Sequence, residues 1–124
     1  MNGNNFLIDT NIIIYLTQKK LKISDFAKNG GFLYISSISY METLGYPFQN
    51  HDEEIEVTEL CEMFERIFLT KEVEKQTISI RKSYKIKLPD AIIAATAMVY
   101  NLTLVTNNSD DFKNIQGLNI LNPF

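Results

Sequence analysis

The sequence predicts a single α/β domain, residues 1–124, in which a mainly parallel central sheet of four to five strands carries helices on both faces. Three observations lead there. Short runs rich in Ile, Leu, Val and Phe alternate with longer stretches of helical periodicity along the chain, the pattern of a parallel sheet built through helical crossovers. The 124 residues suit one core and leave no room for two. One helix, opening near Pro89, is so apolar that it belongs at the centre of the fold.

Taken in order, residues 6–8 read as a short buried strand that stops at Asp9, and a helix starts over residues 12–16. Residues 23–29 predict a short helix closed by Gly30 and Gly31, and residues 32–36 a second strand. A helix begins near Ser39 and is ended by Gly45 and Pro47. Residues 52–66 place Val57, Leu60, Cys61 and Phe64 at helical spacing, and residues 67–70 give a third strand. The helix expected over residues 71–85 turns Val73, Ile80 and Tyr84 inward. Pro89 suits the first turn of the apolar helix, which runs to Asn101. Residues 102–106 form the fourth strand, 110–115 a short helix and 118–121 a last strand.

Several classes of function are excluded. The segment before Phe6 has no basic region, and the apolar run after it ends at Asp9, so no secretory leader is expected. The longest mostly apolar stretch, residues 91–99, falls far short of the ~20 residues of a membrane helix. Cys61 is the only cysteine, which rules out an intramolecular disulfide and points to a reducing compartment, the cytoplasm. One Cys and one His are too few for a zinc site, and His51 has no partner for nucleophilic work. The net charge of −3 at first disfavours a nucleic-acid partner. Residues 52–66, however, hold seven of the fifteen acids and one of the twelve bases, so the rest of the chain is net basic.

The residues that could carry chemistry are acids at the ends of strands. Asp9 ends the first strand, Glu42 lies after the second, Asp110 and Asp111 follow the fourth, and Asp90 opens the central helix. Each also reads as an ordinary helix start: Asp9 as an N-cap, Ser39 with Glu42 as a capping box, Asp90 as an acid at the positive end of its helix, and Asp110 or Asp111 as a cap of the short helix beginning at Phe112. Yet caps need no particular strand, whereas strand carboxyl ends converge in a parallel sheet. Acids gathered there repel one another unless a cation bridges them, and hard oxygen ligands select Mg²⁺ or Mn²⁺. Two such ions about 3.5–4 Å apart serve in-line phosphoryl displacement.

Four segments carry a family resemblance: Phe6-Leu7-Ile8-Asp9-Thr10-Asn11, Ile38-Ser39-Tyr40-Met41-Glu42, Leu88-Pro89-Asp90-Ala91-Ile92-Ile93-Ala94-Ala95 and Leu104-Val105-Thr106-Asn107-Asn108-Ser109-Asp110-Asp111-Phe112. In order and spacing they resemble a PIN domain, and the chain is similar to the VapC-type ribonuclease toxins of toxin–antitoxin pairs. The resemblance spans nearly the whole chain and implies a PIN-like three-layer fold. It also implies an Mg²⁺- or Mn²⁺-dependent endoribonuclease, a small antitoxin protein as partner, and a homodimer. By the same resemblance Asp9, Glu42 and Asp90 match the core acidic ligands. Asp111 is the favoured fourth acid, with Asn108 as a supporting ligand and Asp110 a solvated neighbour. Thr10, Asn11 and Thr106 match polar positions that orient the carboxylates. One departure is the short run Lys85-Ile86-Lys87-Leu88-Pro89, where many such chains have a longer glycine-containing loop; it bears on substrate choice.

Arg81, Lys82, Lys85 and Lys87 lead directly to Asp90. They either hold RNA phosphates beside the metals or solvate a helix face. Tyr40, Tyr46, Phe48 and Tyr84 read as packing more readily than as base-stacking platforms. Two other classes of function fit parts of the pattern. One is a catalytically silent module of the same fold that binds RNA or protein. The other is a receiver-like signalling domain, which would need paired acids after the first strand, where Asp9 stands alone.

Overall fold

The computed structural model describes residues 5–124; residues 1–4, part of the expected domain, lie outside the described residues. Five strands form one sheet: β1 (Asn5–Ile8), β2 (Phe32–Ser36), β3 (Glu65–Ile67), β4 (Thr103–Val105) and β5 (Asn119–Leu121). Their order is β3-β2-β1-β4-β5, and every neighbouring pair is parallel. The helices are α1 (Thr10–Thr17), α2 (Ser37–Leu44), α3 (His51–Met63), α4 (Lys71–Ser83), α5 (Leu88–Val99) and α6 (Ser109–Phe112). This is the expected α/β architecture, and the strand order differs from the 2-1-3-4-5 order of receiver-like domains.

Alternation along the strands sends successive side chains to opposite faces. Phe6, Ile8, Ile35 and Val105 join Ile12, Ile13, Leu16, Val57, Cys61 and Phe64 on one face, under α1 and α3. Leu7 and Leu104 join Val73, Ile80, Ala91, Ile93, Ala94, Ala95 and Phe112 on the other, under α4, α5 and α6. Helix α2 sits across the sheet end, since its Ile38 packs with the second cluster and its Tyr40 and Leu44 with the first. Five alanines and threonines of α5 are buried, which lets this helix lie close to the sheet.

Several boundaries differ from those expected, each for a local reason. The helix expected over residues 23–29 is only the 3-10 turn Ile23–Asp25, because Asp25 turns back to accept from the Lys22 amide at 2.9 Å. The third strand lies at Glu65–Ile67 rather than 67–70, because Thr70 leaves the sheet to cap α4, accepting from the Val73 amide at 3.3 Å. Helix α2 starts at Ser37, two residues early, because Ser36 is its cap and accepts from the Ser39 amide at 3.2 Å. The capping box between Ser39 and Glu42 therefore does not form, and Glu42 is not spent on the helix start. Helix α3 ends at Met63, with buried Phe64 already extended, and begins after an Asn50 cap. The last helix spans Ser109–Phe112 instead of 110–115. Asn101, with φ of 56°, turns the chain from α5 into β4.

Candidate active site

Strand order reverses direction at β1: the chain builds outward through β2 and β3, then returns to add β4 and β5 on the other side. A crevice forms outside the carboxyl ends of the strands at such a switch point. Asp9 is the residue immediately after β1, so topology puts it there.

Asp9 is 5 % exposed, and both oxygens of its carboxylate accept hydrogen bonds. Oδ1 accepts from the Thr10 amide at 2.8 Å, capping α1. Oδ2 accepts from the Thr106 hydroxyl at 2.8 Å and from Asn11 Nδ2 at 3.3 Å. Burial outweighs these bonds and holds the Asp9 carboxyl above the usual carboxylate range, with the nearby Glu42 charge adding to the rise. The cap reading of Asp9 is thus realised by Oδ1, while Oδ2 is tied to Thr106 and Asn11.

The neighbouring acids are tied to the same network. Thr10 donates its hydroxyl to Glu42 Oε1 at 3.1 Å, across 32 residues of chain. Asn11 Nδ2 reaches Thr106 Oγ1 at 3.4 Å, and that oxygen accepts from the Asn108 amide at 2.9 Å. Asn108 Nδ2 in turn donates to Asp111 Oδ2 at 2.7 Å. Asp90 stands at the first turn of α5, where its carboxyl is raised by burial first, then by the charges of Asp9 and Asp111. Lys87 pulls the other way. Asp9 thus feels Glu42, and Asp90 feels Asp9 and Asp111, although the four acids come from four separate segments. Asp110 does not share in this: it points away, toward Lys113 at 3.4 Å.

Among the described residues no group of three His, Cys, Asp or Glu side chains already closes around a point where an ion could sit. Like charges without a counter-charge stand apart. The donor set is nonetheless suited to a hard divalent cation: carboxylate and amide oxygens, with no thiolate or imidazole among them.

Of the basic run, Lys87 is the residue whose charge reaches Asp90. Arg81 and Lys82 end α4, and all four of Arg81, Lys82, Lys85 and Lys87 are exposed. None makes an ion pair among the described residues. Tyr84 has a structural task, accepting from the Gln116 amide at 3.1 Å. Sequence reasoning missed Tyr15 and Asn107, which meet at 3.0 Å beside the site. Nothing in local sequence pairs residues 92 positions apart. It also missed Asn50, although an asparagine directly before an acidic helix is a cap signal.

Comparison with known proteins identifies the family and the fold. The family model described as "PIN domain" matches residues 6–118. A relative named Ribonuclease VapC1, from Rickettsia felis, is 33 % identical, and the alignment covers 93 % of each chain. A toxin–antitoxin complex from Klebsiella pneumoniae contains a chain 31 % identical, with a TM-score of 0.75, covering 95 % of this chain and 97 % of that one. DNA-bound VapBC from Salmonella typhimurium shares the fold, with a TM-score of 0.81 at 24 % identity and complete coverage of both chains. A match over residues 6–118, with strand-end acids at the reversal point of a parallel sheet, establishes that the chain belongs to the PIN domain family.

Proposed function

We propose that this single-domain protein is a metal-dependent endoribonuclease, the toxin of a toxin–antitoxin pair. Asp9, Glu42, Asp90 and Asp111 would hold Mg²⁺ or Mn²⁺, with Asn108 in support. The observation that carries the reading is that Asp90 feels the charges of Asp9 and Asp111, which come from two other, distant parts of the chain. The name of the R. felis relative and the K. pneumoniae complex supply the reaction class and the kind of partner. The buried Cys61 fits a reducing compartment, the cytoplasm, and no helix among the described residues is long and apolar enough to cross a membrane. A dimer is part of the proposal on family membership alone.

When bound, the cation supplies Lewis-acid polarisation of the phosphodiester and activates water for in-line attack. The chain's own residues supply position. Asp9 is fixed by three hydrogen bonds, Glu42 is held by Thr10, and Asp111 by Asn108. Thr106 joins the Asp9 and Asn108 sides of the site through one hydroxyl. Holding groups in place before reaction removes reorganisation from the barrier.

RNA would approach from the Lys87 side, with Arg81, Lys82 and Lys85 meeting phosphates. Replacing Lys85 and Lys87 with Ala is expected to weaken binding for every RNA sequence. It should also flatten the salt dependence, by roughly 0.7 units of slope for each phosphate of a single strand that the protein no longer neutralises. Binding measured across a salt series with Asp90→Asn protein in Ca²⁺ tests this without consuming the probe. An unchanged slope would move the RNA path elsewhere.

On the other side of Glu42 lies a groove of about 600 Å³. Ile13, Ile14, Tyr46, Phe48 and Val57 line it, and Glu42, Asp52, Glu53 and Glu56 give it an acidic rim. Thr43, whose buried hydroxyl has no hydrogen-bond partner, is among the residues lining the same groove. Its acids would repel RNA and attract a basic, apolar segment of an inhibitor protein, which would then cover Thr10 and Glu42. Reversing Asp52 and Glu53 to Lys is expected to weaken inhibitor binding about tenfold, equivalent to ~1.4 kcal/mol, and to leave RNA cleavage intact. Unchanged inhibition of the double variant would exclude the groove as the seat of the partner.

A further inference from the structure

We infer that Asn107, Tyr15, Asn122 and Phe124 form a clasp that positions the loop bearing Asn108 and Asp111; the inference rests on the metal-dependent reading above. The loop needs such a device. Thr106 and Phe112 are both fully buried, yet none of the five residues between them is. Core packing therefore fixes the two ends of the loop and leaves its middle to polar contacts.

Those contacts close a ring around Asn107. Its backbone amide donates to Asn11 Oδ1 at 3.0 Å, and its side-chain amide donates to the Tyr15 hydroxyl at 3.0 Å. Asn11 and Tyr15 are four residues apart on α1 and so share one face. From the other side, Asn122 Nδ2 donates to Ser109 Oγ at 3.2 Å and lies 3.5 Å from the Asn107 carbonyl. The Asn122 side chain accepts from the Phe124 amide at 3.1 Å. The ring of Phe124 then meets that of Tyr15 edge to face, with centroids 4.7 Å apart. Tyr15 itself packs against the core, which anchors the clasp. Asn11 carries the register to the acids, because its Nδ2 also touches Asp9 Oδ2 at 3.3 Å. Asn107 is thus a positioning residue: it touches no reacting atom and acts through Asn108, Asp111 and Asn11.

These hydrogen bonds are exposed, so they add little to global stability while deciding where the loop sits. Amide exchange of residues 107–111 in metal-free protein should speed up about tenfold in Asn107→Ala, with the melting temperature almost unchanged. Mn²⁺ affinity, read by titration, should fall about tenfold, the scale on which partners of metal ligands act. Phe124→Ala should move both readouts the same way, and Phe124→Tyr, which keeps the ring, should restore them. Unchanged exchange overturns the clasp. Faster exchange with wild-type Mn²⁺ affinity overturns its link to the site. A wild-type protein that binds no Mn²⁺ overturns the metal reading and the proposed role together, a pattern in which exchange still responds but no variant titrates.

Discussion

Replacing Asp9 or Asp90 by Asn is expected to lower RNA cleavage by at least roughly 10²–10³-fold, the cost of removing one electrostatic contact to a transition state. The change removes a charge and leaves the shape almost untouched, so the fold should survive. The two variants should differ in stability. The Asp90 carboxyl is raised by burial and by the charges of Asp9 and Asp111, which outweigh the opposing charge of Lys87. A raised folded-state pKa means that this group favours folding most below its ordinary value of 3.8. That contribution is lost as pH rises through the raised value. At neutral pH the metal-free Asp90→Asn protein should accordingly melt a few degrees higher than wild type, since about 1 kcal/mol shifts a chain of this size by roughly 3–6 °C. In acid the difference should vanish. Asp9→Asn should gain less, because Asp9 Oδ2 accepts from Thr106 and Asn11, and an amide nitrogen there could not. Cleavage assays and pH-dependent melting of matched samples read both effects. Wild-type activity in either variant would remove that residue from the site, and a lower melting point for Asp90→Asn at neutral pH would refute the repulsion account.

The architecture was legible in the sequence because apolar strand runs and amphipathic helices alternate without interruption, and that alternation leaves few topologies. Boundaries were less legible where one polar side chain decides them. Ser36 and Ser39 both suit a helix start, and only the tertiary position of β2 makes Ser36 the cap. Likewise Phe68 and Leu69 look like strand residues but are 64 % and 52 % exposed, because Thr70 is needed at the start of α4. At the site, Glu42 lies well inside α2, whereas Asp9, Asp90 and Asp111 were nameable because each follows a strand or lies in the first turn of a helix. The bonds between Thr10 and Glu42 and between Asn107 and Tyr15 were not, since they join residues 32 and 92 positions apart. Asp110 and Asp111 show the limit of spacing: adjacent in sequence, they turn to opposite partners, Lys113 and Asn108.

Removing divalent metal is expected to abolish cleavage altogether, an effect at least as large as losing any single ligand. Among the described residues, no histidine or cysteine in the crevice offers a substitute electrophile. The only histidine, His51, is exposed on α3, 3.8 Å from Glu54, and the only cysteine is buried with a thiol pushed up to about 11. Lys87 could soften the charge of a phosphodiester, but the same charge acts on Asp90. With Mg²⁺ or Mn²⁺ present, Asp9, Asp90 and Asp111 would face a counter-charge in place of one another, so binding should favour the folded state. At a free ion concentration of about 100 Kd the gain is about 2.7 kcal/mol. The melting temperature should therefore rise with added Mn²⁺ in wild type, and rise less in Asp90→Asn, which lacks one of the proposed ligands. Cleavage measured after thorough chelation and again after adding back Mg²⁺ or Mn²⁺ decides the matter. Persistent activity in chelated, nuclease-free protein would sink the metal mechanism. A chelator-sensitive activity without any Mn²⁺-dependent rise in melting temperature would instead place the ion on the RNA rather than on these carboxylates.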